Sequence, residues 1–554
     1  MNTERLEQIA RYMKGHLSQV EAGFRRFYGI MAGDIGEGTI AYTVWRREVP
    51  DGGTIELGHS HVSGEGGEGD VRHSRQYLDT GRTTQVRSKY VYLLLVAGLL
   101  WSPLVSAAEL PNIVIILTDD QGYADISFNP HHAKEVSTPH MDAMAKEGTW
   151  FSNAYISGNV CSPTRLGLMT GRYQQRNGVY TAGEGGTGID PAISIFPAFL
   201  KPAGYVCGAF GKWHLGIRPE HNAVHRGFDY FYGFMGRGAH DYYKLEGEFF
   251  RNAEPLKDQG YLTQRLTDEA VGFIQREKAK PFFVYLAYNA VHSPQQAPKE
   301  DIERYKKAFP DLSEDRAILM AMLYHLDNGV GRVVQTLKQE GLWENTLMFF
   351  LTDNGGAPNM QADCAPLRGH KGQNYEGGIR TPWVVSWPAG FKGSRTIDTP
   401  VIGLDILPTV LDAAGLQAPS GPAFDGKSLL PLLTGRVQSL SRDLFWSEGG
   451  SSGHWAVRSA DLWKLVATVD TKTQQQKLEL FNLGKDSAEA KDLAAENPAK
   501  VQGLTALYDT WLDQMAEPMS GGGKRWAKMG QAPQQEQTDK EKKRQERKAA
   551  RKKK

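Results

Sequence analysis

Between Leu110 and about residue 435, short apolar runs alternate with stretches of helical period, the pattern of an α/β domain built on a largely parallel sheet. Four of these runs share a property. Asn112 to Leu117 ends in Asp119-Asp120-Gln121-Gly122, and Tyr205 to Phe210 ends in Gly211-Lys212-Trp213-His214. Phe282 to Leu286 runs on to Val291-His292-Ser293-Pro294, and Thr346 to Leu351 ends in Asp353-Asn354-Gly355-Gly356. Each predicted strand carries ionisable groups just past its carboxyl end, where open α/β sheets gather their ligands. Helices are predicted from Met141 to Glu147 behind Thr138-Pro139, from Thr263 to Glu277, and from Ser313 to Glu340 in one or two pieces. Trp383 to Trp387 reads as a further strand, and Gly403 to Ala414 as a helix with Pro408 near its start.

Beyond this the texture changes. Leu444 to Trp446, Trp455 to Arg458, Trp463 to Ala467 and Leu478 to Phe481 are short runs separated by turns, followed by a helix from Pro498 to Met515. They predict a smaller antiparallel α+β subdomain over 436–520, behind a main domain over 109–435. No repeat of fixed period is present.

The chain's two ends read differently. Residues 1–85 combine a weak amphipathic stretch, Glu4 to Phe27, with a Gly- and His-rich polar run around His59-Ser60-His61. Arg87-Ser88-Lys89 then precedes the apolar stretch Tyr90 to Trp101 and a small-residue end at Ser106 and Ala108. That is the pattern of a secretory signal peptide over 86–108. The expectation is a translation start near Val86, with 1–85 an upstream extension or disordered, and an exported product, periplasmic or secreted. Residues 521–554 become Gln-rich and then basic from Lys540 to Lys554, a solvated disordered tail or a loose contact for a polyanion.

Composition narrows the picture little. The net charge is +1, so the whole chain has no strong preference for a charged partner, and no specific nucleic acid is expected. Three cysteines, Cys161, Cys207 and Cys364, exclude a disulfide-rich scaffold. Cys207, in an apolar run, reads as a buried thiol.

The chemistry centres on Cys161-Ser162-Pro163-Thr164-Arg165, continuing to Leu168-Met169-Thr170-Gly171-Arg172. Proline suits the first turn of a helix, so this string predicts a loop delivering Cys161 to a helix N-terminus, with Arg165 one turn on along the same face. Asp119, Asp120, Asp353 and Asn354 offer oxygen ligands from two strand ends, a set for Ca²⁺ or Mg²⁺ rather than zinc. Arg165, Lys212, His214, His292 and Lys371 form a cationic set fit for a compact tetrahedral dianion.

These segments resemble the type I sulfatases, whose signature is Cys-x-Pro-Ser/Thr-Arg followed by Leu-x-Thr-Gly-Arg. Gly211-Lys212-Trp213-His214 and the string from Lys371 through Glu376-Gly377-Gly378 to Arg380 and Pro382 are similar to further blocks of that family. The likeness runs from about Pro111 to Trp387, with the look of arylsulfatase A and N-acetylgalactosamine-sulfatase relatives. His370 stands where many of them carry glycine.

The resemblance implies an alkaline-phosphatase-like fold. It also implies a Cα-formylglycine made from Cys161 by a maturation enzyme, and Ca²⁺ bound by Asp119, Asp120, Asp353, Asn354 and the modified Cys161. One hydroxyl of the formylglycine hydrate, deprotonated with help from Asp353, would attack sulfur while Lys212 and Lys371 hold the sulfate oxygens. His292 would protonate the leaving oxygen, and His214 would take the proton that lets the aldehyde re-form and expel sulfate. Arg165 would steady the formylglycine. The expected substrate is a sulfated carbohydrate, with aryl sulfates as artificial ones. Gly183 to Asp190, His221 to Arg226, Arg237 to Tyr243 and Glu448 to Trp455 are loops that could meet the sugar. The rivals are a phosphate or phosphonate ester hydrolase of the same superfamily and an inactive relative that binds sulfated glycans.

Overall fold

The computed structural model describes residues 110–523, except 237, 418–420, 450–451, 471, 474 and 522, together with two short strands at 46–48 and 54–56. The chain divides into two units, Met1–Pro103 and Leu104–Lys554. In the first, β1 (Arg46–Glu48) and β2 (Thr54–Glu56) form an antiparallel pair that the polar texture does not announce. The Glu4–Phe27 stretch, His59 and His61, the export-like segment and the basic tail lie outside the described residues.

The second unit begins with β3 (Asn112–Thr118), β4 (Thr149–Phe151), β5 (Ala154–Tyr155), β6 (Val206–Lys212) and β7 (Tyr230–Phe234). It continues with β8 (Phe249–Arg251), β9 (Glu254–Pro255), β10 (Phe282–Ala287), β11 (Thr346–Thr352), β12 (Trp383–Ser386), β13 (Arg395–Ile397) and β14 (Val401–Ile402). Ten of these make one sheet in the order β13-β4-β12-β11-β3-β10-β6-β7-β8-β9. Its centre, β11-β3-β10-β6-β7, is parallel throughout. The four strands singled out by their polar ends are thus consecutive neighbours. β12, expected as one more strand, runs antiparallel to β11.

A parallel sheet needs both faces covered, and the alternation of side chains shows how. Ile113, Ile115, Leu117, Phe283, Tyr285, Leu347, Phe349 and Leu351 face one core cluster. Val114, Ile116, Phe282, Val284, Leu286, Met348 and Phe350 face the other, which Leu262–Glu277 and Glu314–Gln339 cover as helices. The second of these is one continuous helix, started by Ser313, whose side chain accepts the Arg316 N–H. The Gly403 to Ala414 stretch splits into a 3₁₀ turn, Gly403–Asp405, and a helix, Ile406–Ala413.

The C-terminal part is an antiparallel sheet of β15 (Leu444–Ser447), β16 (Trp455–Arg458), β17 (Trp463–Val469) and β18 (Gln476–Asn482), with the helix Pro498–Asp513 against it. Beyond that helix the chain returns to the main domain. Ala516 and Met519 donate their N–H groups to the Gln175 and Gly178 carbonyls at 3.0 and 2.9 Å. The Ser520 N–H reaches Glu184 Oε1 at 3.1 Å.

Candidate active site

Past the ends of the central strands, the backbone itself gathers the polar groups. Asp353 donates its N–H to Thr118 at 3.1 Å, which keeps the β11 and β3 ends in step. The Asp119 N–H donates to the Ala290 carbonyl at 3.0 Å, and its own carbonyl accepts from Val291 at 2.7 Å, so the His292 loop is tied to β3. Gly355 permits the tight return after Asn354: a Cβ there would lie 1.9 Å from the Gly377 carbonyl oxygen.

The predicted signature helix spans Cys161–Thr170, with Cys161 as its first residue and Val160 giving no side-chain cap. Cys161 is 4% exposed. Burial pushes its thiol up, while Lys212, Asp353, Asp119 and Lys371 act on it through their charges. Ser162 Oγ donates to the His214 carbonyl at 2.8 Å, fixing the helix start against the β6 end.

Around Cys161 the charges interlock. Lys212 Nζ lies 2.5 Å from Asp119 Oδ2, both wholly buried. Arg165 donates to Asp353 Oδ2 at 3.0 and 2.7 Å and to the Lys212 carbonyl at 2.8 Å. Its donors are thus taken up by the neighbours of Cys161. Lys371 Nζ and Asn354 Nδ2 each lie 2.6 Å from Asp120 Oδ1. His292 Nε2 lies 3.6 Å from Asp120 Oδ2, and its Nδ1 faces the Ser293 carbonyl at 2.9 Å. All ten predicted site residues therefore lie in one neighbourhood.

Three oxygens stand out. Asp119 Oδ1, Asp353 Oδ1 and Asn354 Oδ1 are buried with no hydrogen-bond partner among the described residues. Orphaned buried acceptors cost free energy, and a hard cation satisfies several at once. Asp119, Asp120 and His292 also bring ligand atoms within 4.8 Å of one another. The donor set fits a divalent cation of the calcium or magnesium kind.

The electrostatics follow from burial. Burial, reinforced by Asp119, pushes the Asp353 carboxyl up against the pull of Arg165. Burial works against the Lys371 charge, but Asp120 and Asp119 outweigh it and hold its pKa above the usual lysine range. His214 is driven well below the ordinary histidine range by burial, then by Lys212 and Arg165, and is a neutral imidazole at pH 7. Asp120 and His214 have φ of 62° and 55°, left-handed conformations that cost about 1 kcal/mol or more for non-glycine residues.

Some neighbours were not foreseen. Tyr285, buried on β10, sits beside Arg165 and Asp353. Tyr242, wholly buried, donates from Oη to the His292 carbonyl at 2.9 Å. Tyr285 is legible afterwards as an alternate position on a strand whose end bears His292; Tyr242 lies in the Arg237 to Tyr243 loop expected to meet the sugar, but its bond to the His292 turn has no local signal. The His370 ring bonds the Lys371 carbonyl at 2.9 Å. The three cysteines are free and buried.

Comparison with known proteins agrees with this geometry. The Sulfatase family profile matches residues 111–416, and a profile for the C-terminal part of N-sulphoglucosamine sulphohydrolase matches 370–515. The likeness therefore extends well past Trp387, through the antiparallel sheet. The chain is 30% identical over 498 residues to the uncharacterized sulfatase YdeN of Escherichia coli, covering 74% of this chain and 87% of that one. It is 31% identical over 456 residues to mouse N-acetylgalactosamine-6-sulfatase, covering 72% and 84%. Among solved structures, Ps i-CgsB in complex with k-i-k-neocarrahexaose superposes with a TM-score of 0.68 at 31% identity, covering 76% of this chain and 96% of that one. The fold is the alkaline-phosphatase-like one that such relatives share. With a cysteine-headed helix, interlocked charges and these likenesses together, the chain belongs to the type I sulfatase family and is a sulfuric ester hydrolase.

Proposed function

We propose that this chain removes sulfate from sulfated carbohydrates, with Cys161, matured to Cα-formylglycine, as the nucleophilic position. The observation that carries the reading is the enclosure of a buried Cys161 by Lys212, Lys371, Asp119 and Asp353. Buried as a thiol, Cys161 is a poor nucleophile in its unmodified state. The formylglycine would supply a hydrated aldehyde hydroxyl to the reaction. A calcium ion held by Asp119, Asp120, Asp353, Asn354 and the modified Cys161 would supply fixed positive charge for the sulfate and nucleophile oxygens.

The side chains have distinct tasks. Lys212 and Lys371 bind sulfate oxygens and orient the sulfur. Asp353, whose proton affinity burial raises, accepts the proton of the attacking hydroxyl. His292 donates from Nδ1 to a carbonyl, which leaves Nε2 to face the departing sugar oxygen and to pass it a proton from the doubly protonated ring. His214, neutral by environment, accepts a proton in the release of sulfate. Arg165 holds Asp353 and the Lys212 backbone in place.

The carbohydrate assignment draws support from the names of the relatives: one is an N-acetylgalactosamine-6-sulfatase, and a related structure holds a neocarrahexaose. Mass spectrometry of the Cys161 peptide after expression with a formylglycine-generating enzyme tests the nucleophile; the aldehyde is expected. Assays on sulfated sugars, aryl sulfate and aryl phosphate test the substrate. Turnover of aryl sulfate but of no sulfated sugar sinks the carbohydrate reading, and preference for phosphate sinks the sulfatase reading. Export through residues 86–108 belongs to the same proposal, with a catalytic domain over 109–435, a C-terminal subdomain over 436–520 and polyanion contact by the tail. N-terminal sequencing of the mature protein checks it, with a start near Glu109 expected.

A further inference from the structure

The loop between β15 and β16 belongs to the C-terminal sheet, yet its first residue reaches the active site. Asn159, two positions before Cys161, donates from Nδ2 to Glu448 Oε1 at 2.6 Å and to Asn374 Oδ1 at 2.9 Å. The Asn159 carbonyl accepts the N–H of Gly372, the residue after Lys371, at 2.9 Å. Asn159 is thus the joint between the turn that carries Cys161, the turn that carries Lys371, and Glu448.

Three features make this joint a candidate binding wall rather than packing alone. Asn159 and Asn374 are each 4% exposed, but the Glu448 side chain is 21% exposed, so a carboxylate reaches solvent beside the cationic pocket. His454, from the far end of the same loop, lies 3.5 Å from Glu448 Oε2 and is 33% exposed. Asn374 Nδ2 is buried without a hydrogen-bond partner among the described residues, a donor awaiting an acceptor. A carboxylate accepts hydrogen bonds from hydroxyl pairs. Glu448 draws the His454 imidazole toward its charged form, but that charge is met by Glu448 itself, so the pair lacks the uncompensated cation by which a lysine would attract a second sulfate.

We infer that Glu448, with His454 and Asn374, forms a leaving-group subsite that binds free hydroxyls of a monosulfated sugar and disfavours sugars bearing a second sulfate close by. This rests on the sulfated-carbohydrate reading proposed above. The pocket of Lys212 and Lys371 takes the sulfate to be removed, and Glu448 sets which neighbours that sulfate can have. Coulomb repulsion between a partly exposed carboxylate and a nearby sulfate supplies the discrimination.

The test compares substrates on one enzyme sample, so that the ratio of kcat/KM values is independent of how much protein is folded and matured. Glu448→Gln keeps the acceptor for Asn159 and removes the charge. Its kcat/KM on N-acetylgalactosamine 6-sulfate, relative to 4-nitrophenyl sulfate, is expected to fall about tenfold, the scale of one charge-assisted hydrogen bond. Its preference for that monosulfated sugar over D-glucosamine 2-N,6-O-disulfate is expected to shrink as well. Glu448→Ala should show both changes more strongly. Ratios within twofold of wild type in both variants overturn the subsite and leave Glu448 a tether for Asn159. Wild-type enzyme that cleaves 4-nitrophenyl sulfate but neither sugar overturns the subsite and leaves sulfate-ester hydrolysis standing. Wild-type enzyme carrying the aldehyde that cleaves none of the three overturns both.

Discussion

Arg165 donates from two nitrogens to a single carboxylate oxygen of Asp353, at 3.0 and 2.7 Å, with both side chains fully buried. Removing one member of such a pair leaves a charge stranded away from water. Arg165→Ala is expected to destabilise the fold by about 3–5 kcal/mol, read from urea denaturation. Arg165→Lys should recover part of this, because one ammonium cannot span both Asp353 and the Lys212 carbonyl.

Ion loading should couple to stability. Asp119, Asp120 and Asp353 crowd three carboxylates around two orphaned carboxylate oxygens and the Asn354 amide oxygen. Chelator treatment is expected to lower the thermal midpoint and Ca²⁺ to restore it, by about 2.7 kcal/mol at a hundred times its Kd. A melting curve unmoved by chelator and by Ca²⁺ would count against a divalent cation there.

Glycine positions separate sharply. Gly355→Ala drives a methyl group onto the Gly377 carbonyl and should cost about 1–3 kcal/mol, with loss of activity because Asn354 moves. Gly403→Ala meets nothing within 4 Å and should be near neutral or slightly stabilising. Paired thermal melts of the two variants check the contrast.

A pH signature belongs to the seam between the sheets. Lys464 Nζ bridges Glu376 and Glu489 at 2.8 and 2.9 Å. Burial pushes Glu489 up to about 7, against the pull of Lys464. Its folded pKa exceeds its unfolded one, so its contribution is fully present below about pH 4.5 and is lost as pH rises through about 7. Stability of wild type relative to Glu489→Gln should therefore decline between those limits. A difference that stays flat from pH 4 to 8 would refute it.

Much of the site was legible because its residues sit at the ends of long apolar strands. Asp119, Lys212, His292 and Asp353 each follow a run whose parallel pairing is dictated by burial on both faces, so placing the strands placed the groups. Tyr242 and Glu448 were not placed so. They come from loops, and which loop meets which strand end is settled by long-range packing that no local period encodes. Outer strands such as β4, β9 and β13 were missed for a related reason: at two or three residues they are too short to show alternation. The Ala182–Thr187 helix, carrying Gly183, Gly185 and Gly186, runs against helix propensity and is held by a cap between Thr181 and Glu184.

The stitching of Ser520 to Glu184 bears on timing during synthesis. Roughly 360 residues separate Cys161 from that last stitch, which at about 5–20 residues per second is an interval of about 20 to 70 seconds. Until then the nascent polypeptide lacks the piece that closes over the segment behind the signature helix. The maturation enzyme proposed above would have its opening while the ribosome is still at work, since the folded chain leaves Cys161 only 4% exposed.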